Sequence, residues 1–225
     1  MDYKVVEVKE NLLIENNEKA MALHNKLKEK GIYFINVMAS PGSGKTTLLI
    51  RLINELKKDY SIGVMEADID GDVDAERIQK QTNVKSIQVH TGGACHLTAQ
   101  MVEDAIESFD IDGLNLLILE NVGNLVCPAE FNTGADMNLV LLSIPEGDDK
   151  PLKYPLMFEV ADIVAITKID TLPVFNFNFE KCRENIKKRQ KNAEIFEISA
   201  LKNIGLDNLV NSIKNRIESK YSRIK

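Results

Sequence analysis

Only three cysteines occur in 225 residues, and no apolar run approaches the ~20 residues needed to cross a bilayer. The N-terminus lacks a signal-peptide pattern, so a cytoplasmic location is expected. Cys95, Cys127 and Cys182 are an odd number for such a setting and read as reduced thiols rather than disulfides. Positive charge is also short: 28 basic against 34 acidic residues gives a net charge of −6. That balance argues against nucleic acid or an anionic membrane as the main partner, local basic patches aside. Neither internal repeats nor a low-complexity linker interrupt the chain. With 44% apolar residues it can bury a real core.

What is present is an alternation of apolar runs and helical patterns, the mark of a parallel α/β sheet. An amphipathic segment over 12–30, with Leu13, Met21, Leu23 and Leu27 among its apolar positions, is stopped by Gly31. Tyr33–Ala39 is nearly continuous in apolar residues, as a buried central strand requires. Further strands are expected at Ser61–Ala67, Val84–Val89, Leu114–Glu120, Asn138–Ile144, Ile163–Thr167 and Glu194–Ile198. Helices are expected over 44–58, 74–81, 97–108, 178–190 and 206–222. This predicts a three-layer α/β fold: a mostly parallel central sheet of about seven strands flanked by helices. The polar, proline-bounded stretch Pro145–Pro155 reads as a surface loop, in which Lys150 and Lys153 are a solvated pair or reach a partner's nucleotide.

Between the first strand and its helix stands Ala39-Ser40-Pro41-Gly42-Ser43-Gly44-Lys45-Thr46, a phosphate loop with alanine where the first glycine usually stands. Gly42 and Gly44 let successive backbone N–H groups turn inward as a nest for phosphate oxygens. The following helix N-terminus adds partial positive charge. Lys45 can neutralise the β- and γ-phosphates and stabilise transition-state charge, and the Thr46 hydroxyl can ligate Mg²⁺. Pro41, Ser43 and Thr47 complete the expected nucleotide-binding residues of this segment.

Three later segments bear on the base and on turnover. Thr167-Lys168-Ile169-Asp170 closes a strand and resembles the guanine-reading motif of GTPases, in which a carboxylate accepts from guanine N1–H and the exocyclic amine. Ser199-Ala200-Leu201 resembles the GTPase loop whose backbone contacts guanine O6. Glu120-Asn121-Val122-Gly123 resembles D-x-x-G, with Glu120 a Mg²⁺ ligand and Gly123 a γ-phosphate contact. Asn124 stands where many GTPases place a water-orienting glutamine, which implies slow hydrolysis. The acidic stretch Glu66–Asp74 leaves two readings open. It is a switch loop, with Asp68 a Mg²⁺ ligand and Asp72 catalytic, or an acidic cap in which Asp74 begins the next helix.

Cys95 and His96 are adjacent in a glycine-bearing loop, and Cys127 precedes Pro128. Thiolate and imidazole suit Zn²⁺ or Ni²⁺, although three ligands leave one tetrahedral position for water or a second subunit. A packed cysteine beside a helix-terminal histidine would explain the dipeptide alone. Position favours the metal, because Cys127 lies four residues beyond Gly123. Cys182 falls at an apolar helical spacing and reads as core.

His90-Thr91-Gly92-Gly93-Ala94-Cys95-His96 together with Glu120-Asn121-Val122-Gly123-Asn124-Leu125-Val126-Cys127-Pro128 closely resembles the HypB family. These are the GTPases of nickel insertion into [NiFe]-hydrogenase, in the same class as UreG. The likeness covers nearly the whole chain. It implies a P-loop GTPase domain over 32–225 behind a helical N-terminal extension over 1–31. It further implies a Mg²⁺-dependent homodimer with Cys95, His96 and Cys127 as a nickel or zinc site at the interface. A hydrogenase-maturation accessory protein or the hydrogenase large subunit would be the partner. The family's N-terminal cysteine motif and histidine-rich tract have no counterpart in Met1-Asp2-Tyr3-Lys4-Val5-Val6, so the interface site is the one expected. A P-loop small-molecule kinase and a non-catalytic, nucleotide-gated metal carrier are the alternatives; Asp170 and Ser199–Leu201 argue against the kinase.

Overall fold

A computed structural model describes residues 8–68, 71 and 73–221. In chain order the first half reads α1 (Val8–Glu29), β1 (Tyr33–Ala39), α2 (Lys45–Leu56), β2 (Ile62–Asp68), α3 (Val73–Thr82), β3 (Lys85–His90), α4 (Ala99–Ser108) and β4 (Leu116–Glu120). There follow α5 (Cys127–Glu130), β5 (Met137–Ser143), α6 (Lys150–Lys153), α7 (Pro155–Glu159), β6 (Ile163–Thr167), α8 (Phe179–Arg189), β7 (Glu194–Glu197) and α9 (Leu206–Tyr221).

The strands β1, β4 and β6 are buried at every position, so apolar residues occupy both faces of each. Every pairing is parallel, and the order is β3-β2-β4-β1-β5-β6-β7. The seven expected strands are all present, displaced by at most two residues at an end. The edge strands β3 and β7 are partly exposed, which accounts for their weaker apolar runs.

Alternate residues of β1 face two different layers. Tyr33, Ile35, Val37 and Ala39 join Leu48, Leu52 and Ile53 of α2 and Leu209 and Ile213 of α9 in one cluster. On the other face, Phe34 packs with Leu23 and Leu27 of α1 and Val102 and Ile106 of α4. Met38 belongs to a separate cluster with Met157, Phe158, Cys182 and Ile186. Cys182 is therefore core, and burial pushes its thiol up to about 12.

The first helix buries a stripe at Asn16, Ala20, Leu23 and Leu27, whereas Met21 is exposed. Asn16 pins it: its Nδ2 donates to the Asn132 carbonyl at 2.8 Å and its Oδ1 accepts from Ala99 N–H at 2.8 Å. Gly31, at φ +71°, ends the helix as its N–H donates to the Lys28 carbonyl.

The stretch Pro145–Pro155 departs from expectation. It is not a plain loop but a 3₁₀ turn over Ile144–Glu146 followed by α6, with α7 starting at Pro155. Proline lacks an N–H and has a fixed φ, which the first turn of a helix tolerates. Prolines read as loop boundaries here mark helix starts. Lys153 pairs with Asp149 at 2.6 Å and Lys150 lies over the Tyr154 ring, both contacts within the same surface turn.

Gly205 opens α9 with φ +72°, and a Cβ there would overlap the Glu197 carbonyl oxygen. Gly205→Ala is expected to lower stability by about 1–3 kcal/mol in urea unfolding; an unchanged midpoint would contradict this packing.

Candidate functional site

Parallel pairing sets the C-terminal ends of β1, β2, β4, β5 and β6 along one edge, the place where such sheets bind ligands. Val37 of β1 is in register with Glu120 of β4, and Ser143 of β5 with Thr167 of β6. The phosphate loop leaves β1 between these neighbours. Gly44 stands before α2 at φ +98° and no side chain caps the helix, so its first N–H groups are free for an anion. The Ser43 hydroxyl is buried without a partner in the same loop.

One cleft, of about 270 Å³, is lined by Pro41, Gly42, Lys45, Glu66, Asp68, Asp74, Glu120 and Gly123. Thr46 Oγ1 donates to Glu120 Oε1 at 2.9 Å, while Glu120 Oε2 and Glu66 Oε2 are buried with no partner. Carboxylate oxygens of Glu66, Asp74 and Glu120 all lie within 4.8 Å of one another. Burial raises the Glu120 carboxyl to about 8, partly offset by Lys45, and the Glu66 carboxyl to about 7, partly offset by a hydrogen bond from Gln88. Two orphaned carboxylate oxygens beside a threonine hydroxyl are a donor set that fits a hard divalent cation such as Mg²⁺.

Of the residues expected to hold Mg²⁺, Glu120 lines this cleft and Thr46 reaches it through its hydrogen bond to Glu120. Asp68 lines it too but stands apart from the three-carboxylate group. Asp72 lies outside the described residues. Glu66 and Asp74 were missed as metal-side carboxylates. Asp74 is inside the first turn of α3, which begins at Val73, and not at its cap. Glu66 was disguised as one polar residue in a buried strand; that mismatch was the available signal.

A second cleft, of about 280 Å³, lies on the other side of the loop and is lined by Ser43, Gly44, Thr47, Lys168, Asp170, Ala200 and Leu201 among others. Thr167 Oγ1 donates to the Ser43 carbonyl at 2.9 Å, and Lys168 Nζ to the Gly42 carbonyl at 2.6 Å. Lys168 takes φ +59°, which turns its stem back over the loop. Ser199 Oγ donates to Asp170 Oδ1 at 2.5 Å, fixing the carboxylate between the two base-side segments. The Thr47 hydroxyl accepts from Arg77 at 3.5 Å. The nucleotide-side residues expected from the motifs thus lie about two clefts on either side of the phosphate loop, Lys45 in the first and Asp170 in the second, with Thr46 and Ser199 tied to the lining through Glu120 and Asp170.

Gly123 lies against the loop: a Cβ there would stand 3.1 Å from Pro41 N and Cα. Four residues on, Cys127 meets Cys95, with 2.9 Å between the sulfurs and His96 Nδ1 3.8 Å from Cys95 Sγ. The hydrogen bond with Cys95, and then burial, hold the Cys127 thiol above its usual value. Burial holds His96 below its usual value, which favours the neutral, metal-binding imidazole. The His96 ring stacks on Phe131 at 3.8 Å between centroids, an orienting contact the sequence did not reveal. Asn124, read as a substitute for a water-orienting glutamine, has another task. Its Nδ2 donates to the Cys95 carbonyl at 3.3 Å and its Oδ1 accepts from Val126 N–H at 2.9 Å. It ties the two cysteine-bearing segments together.

Residues 33–197 match the model of the CobW/HypB/UreG nucleotide-binding domain. The chain belongs to the CobW/HypB/UreG family. Within that family it is 42% identical over 222 residues to the hydrogenase/urease maturation factor HypB of Helicobacter pylori, covering 97% of this chain and 90% of that one. The crystal structure of HypB from Helicobacter pylori in complex with nickel superposes with a TM-score of 0.86, covering 92% of this chain and 97% of that one. HypB from Archaeoglobus fulgidus superposes with a TM-score of 0.83 at 31% identity, over 91% and 99% of the two chains. Among the described residues no helix is long and apolar enough to cross a membrane.

In this member of the CobW/HypB/UreG family the buried carboxyls carry a pH signature. Folding raises Glu66 and Glu120 from 4.5 to about 7 and about 8, so the folded state holds protons that the unfolded state releases. Their contribution is complete below the unfolded value and is lost as pH rises through the folded ones. In metal-free buffer the denaturation midpoint is expected to fall between about pH 5 and 8. Glu120→Gln flattens that slope; a midpoint that rises over the range in both proteins would contradict the assignment.

Proposed function

We propose that this protein is a GTP-hydrolysing metallochaperone whose metal site and nucleotide site share one segment of chain. A single observation carries the reading. Gly123 packs on the phosphate loop, and within four residues Asn124 and Cys127 engage the Cys95 loop. An event at the γ-phosphate is thus felt at the thiols with no intervening domain.

The chain's own groups supply the chemistry. Gly42, Ser43 and Gly44 present N–H groups to the phosphates, with Pro41 and Thr47 flanking them, and Lys45 offsets charge that builds on the leaving β-phosphate. Asp170, held by Ser199, accepts from the guanine edge, while Lys168 covers the base and Ala200 and Leu201 close its rim. Thr46, Glu120, Glu66 and Asp74 would hold Mg²⁺, with Asp68 lining the same cleft; when bound, the ion would neutralise charge on the β- and γ-oxygens. Gly123 completes the γ-phosphate side, and Asp72 is the catalytic carboxylate proposed from the sequence. Asn124 is engaged with Cys95, which supports slow intrinsic turnover.

Cys95, His96 and Cys127 take Ni²⁺ or Zn²⁺ as cargo, and the fourth position is left to water or to a second copy of the chain. A ligand drawn from that copy makes dimerisation part of loading. Relatives that are hydrogenase/urease maturation factors, one of them crystallised with nickel, support nickel delivery during hydrogenase maturation, here assigned to [NiFe]-hydrogenase and to the cytoplasm. The recipient is then an accessory protein or the hydrogenase large subunit.

Asp170→Asn should shift preference from GTP toward XTP by at least about ten-fold, read in competitive binding. Unchanged GTP affinity refutes the guanine assignment. Cys127→Ala should abolish stoichiometric Ni²⁺ or Zn²⁺ binding in equilibrium dialysis while GTP affinity stays within about two-fold; undiminished metal binding would sink the cargo site.

A further inference from the structure

Asn36 is out of place by composition. It lies at the middle of the central strand, 2% exposed, in a run otherwise made of apolar and aromatic residues. On its face of the sheet it falls between Phe34, which packs toward α1 and α4, and Met38, which packs toward α7 and α8. A valine or leucine would fill that space without the penalty of burying an amide, which is acceptable only when its donors and acceptor are met.

They are met by other amides. Asn36 Oδ1 accepts from Asn121 Nδ2 at 3.0 Å, and Asn36 Nδ2 donates to Asn138 Oδ1 at 3.0 Å. Asn138 Nδ2 then donates to the Val160 carbonyl at 3.1 Å, past the end of α7. On the other side Asn121 is 0% exposed and is gripped three times. Its N–H donates to the Val37 carbonyl at 2.9 Å, its Nδ2 reaches Asn36, and its Oδ1 accepts from Val122 N–H at 2.9 Å. Gly123 follows directly, already pressed on Pro41.

We propose that Asn36 is a positioning residue for the nucleotide switch. Through Asn121 and Val122 it holds the Gly123 N–H where a γ-phosphate is met, and so sets the preference for triphosphate over diphosphate. This rests on the GTPase reading above. The logic is local: Asp170 and most of the phosphate loop grip parts common to GTP and GDP, whereas the Asn121–Gly123 segment has a partner only in the triphosphate. A networked amide also has fewer alternative packings than an apolar side chain, which suits a residue that must define one backbone position.

The test measures affinity for fluorescent GDP and for a slowly hydrolysed GTP analogue, GTPγS, in wild type, Asn36→Ala and Asn138→Ala, with thermal unfolding alongside. Asn36→Ala should lose about ten-fold in GTPγS affinity and keep GDP affinity within about two-fold. Asn138→Ala leaves the Asn36–Asn121 bond in place and should keep the GTPγS:GDP ratio. Should the alanine variant fail to fold, Asn36→Ser is measured in its place, with the same expectation at smaller size. Equal losses for both nucleotides, an unchanged ratio in the Asn36 variant, or a ratio that collapses as far in Asn138→Ala would overturn the proposal. A wild type that binds neither nucleotide would instead sink the GTPase reading itself.

Discussion

The hydrogen bond from Thr46 to Glu120 is the interaction on which the rest of the site depends. It joins the first turn of α2 to the end of β4, and it forms only because β1 and β4 pair in parallel with Val37 opposite Glu120. A slip of one residue would turn Glu120 to the other face of the sheet and replace it with an apolar neighbour. The register is held by apolar residues on both faces of both strands. A buried, desolvated carboxylate is tolerated because the surrounding core leaves it no alternative place. Lys45 and Thr46 offset part of that burial, and the unpartnered Glu66 and Glu120 oxygens leave the remainder for a cation to satisfy.

The same parallel arrangement explains why residues far apart in sequence read as one site. Motifs at the ends of β1, β4 and β6 must share an edge once the strands are adjacent. The phosphate loop, Glu120–Gly123 and Thr167–Asp170 were legible for that reason, since each is a short run with its own local signature after an apolar strand. Cys95 and Cys127 stood out for a different one: Cys95 is next to His96 in a glycine-bearing loop, and Cys127 lies four residues beyond Gly123. The buried strands themselves were readable because continuous apolar runs have few other uses in a chain of this composition.

What escaped the sequence depends on contacts rather than on patterns. Glu66 and Asp74 become partners of Glu120 only when β2 lies beside β4 and α3 packs back against β2. The turns between 144 and 159 are too short for helical periodicity to register, and their prolines carry the opposite meaning in a loop and in a first helical turn. Asn36, Asn121 and Asn138 sit in three separate strands or strand ends, each unremarkable alone. The ladder they make exists only in the register of the sheet. Asn124 illustrates the limit most sharply. Its position relative to Gly123 invited comparison with a water-orienting residue, whereas its side chain faces the Cys95 loop.

Metal loading has a geometric consequence for the nucleotide side. The sulfurs of Cys95 and Cys127 stand at hydrogen-bond distance, 2.9 Å. Two thiolates on one tetrahedral zinc, each with a bond of about 2.3 Å, are separated by roughly 3.7 Å. A bound ion would therefore move the two sulfurs apart by most of an ångström, a change the side chains and their loops would share. Cys127 begins a short helix directly after Asn124–Val126, and Gly123 has no free space toward Pro41. Any part that reaches the Cys127 backbone would be taken up in those three residues or passed to the phosphate loop. Asn124 limits the first option, because its side chain bonds both to Val126 and to the Cys95 loop. On the proposed reading the rest would bear on Gly123, and linkage would make the effect reciprocal: a γ-phosphate that fixes Gly123 would change the energy of spreading the thiols by the same amount.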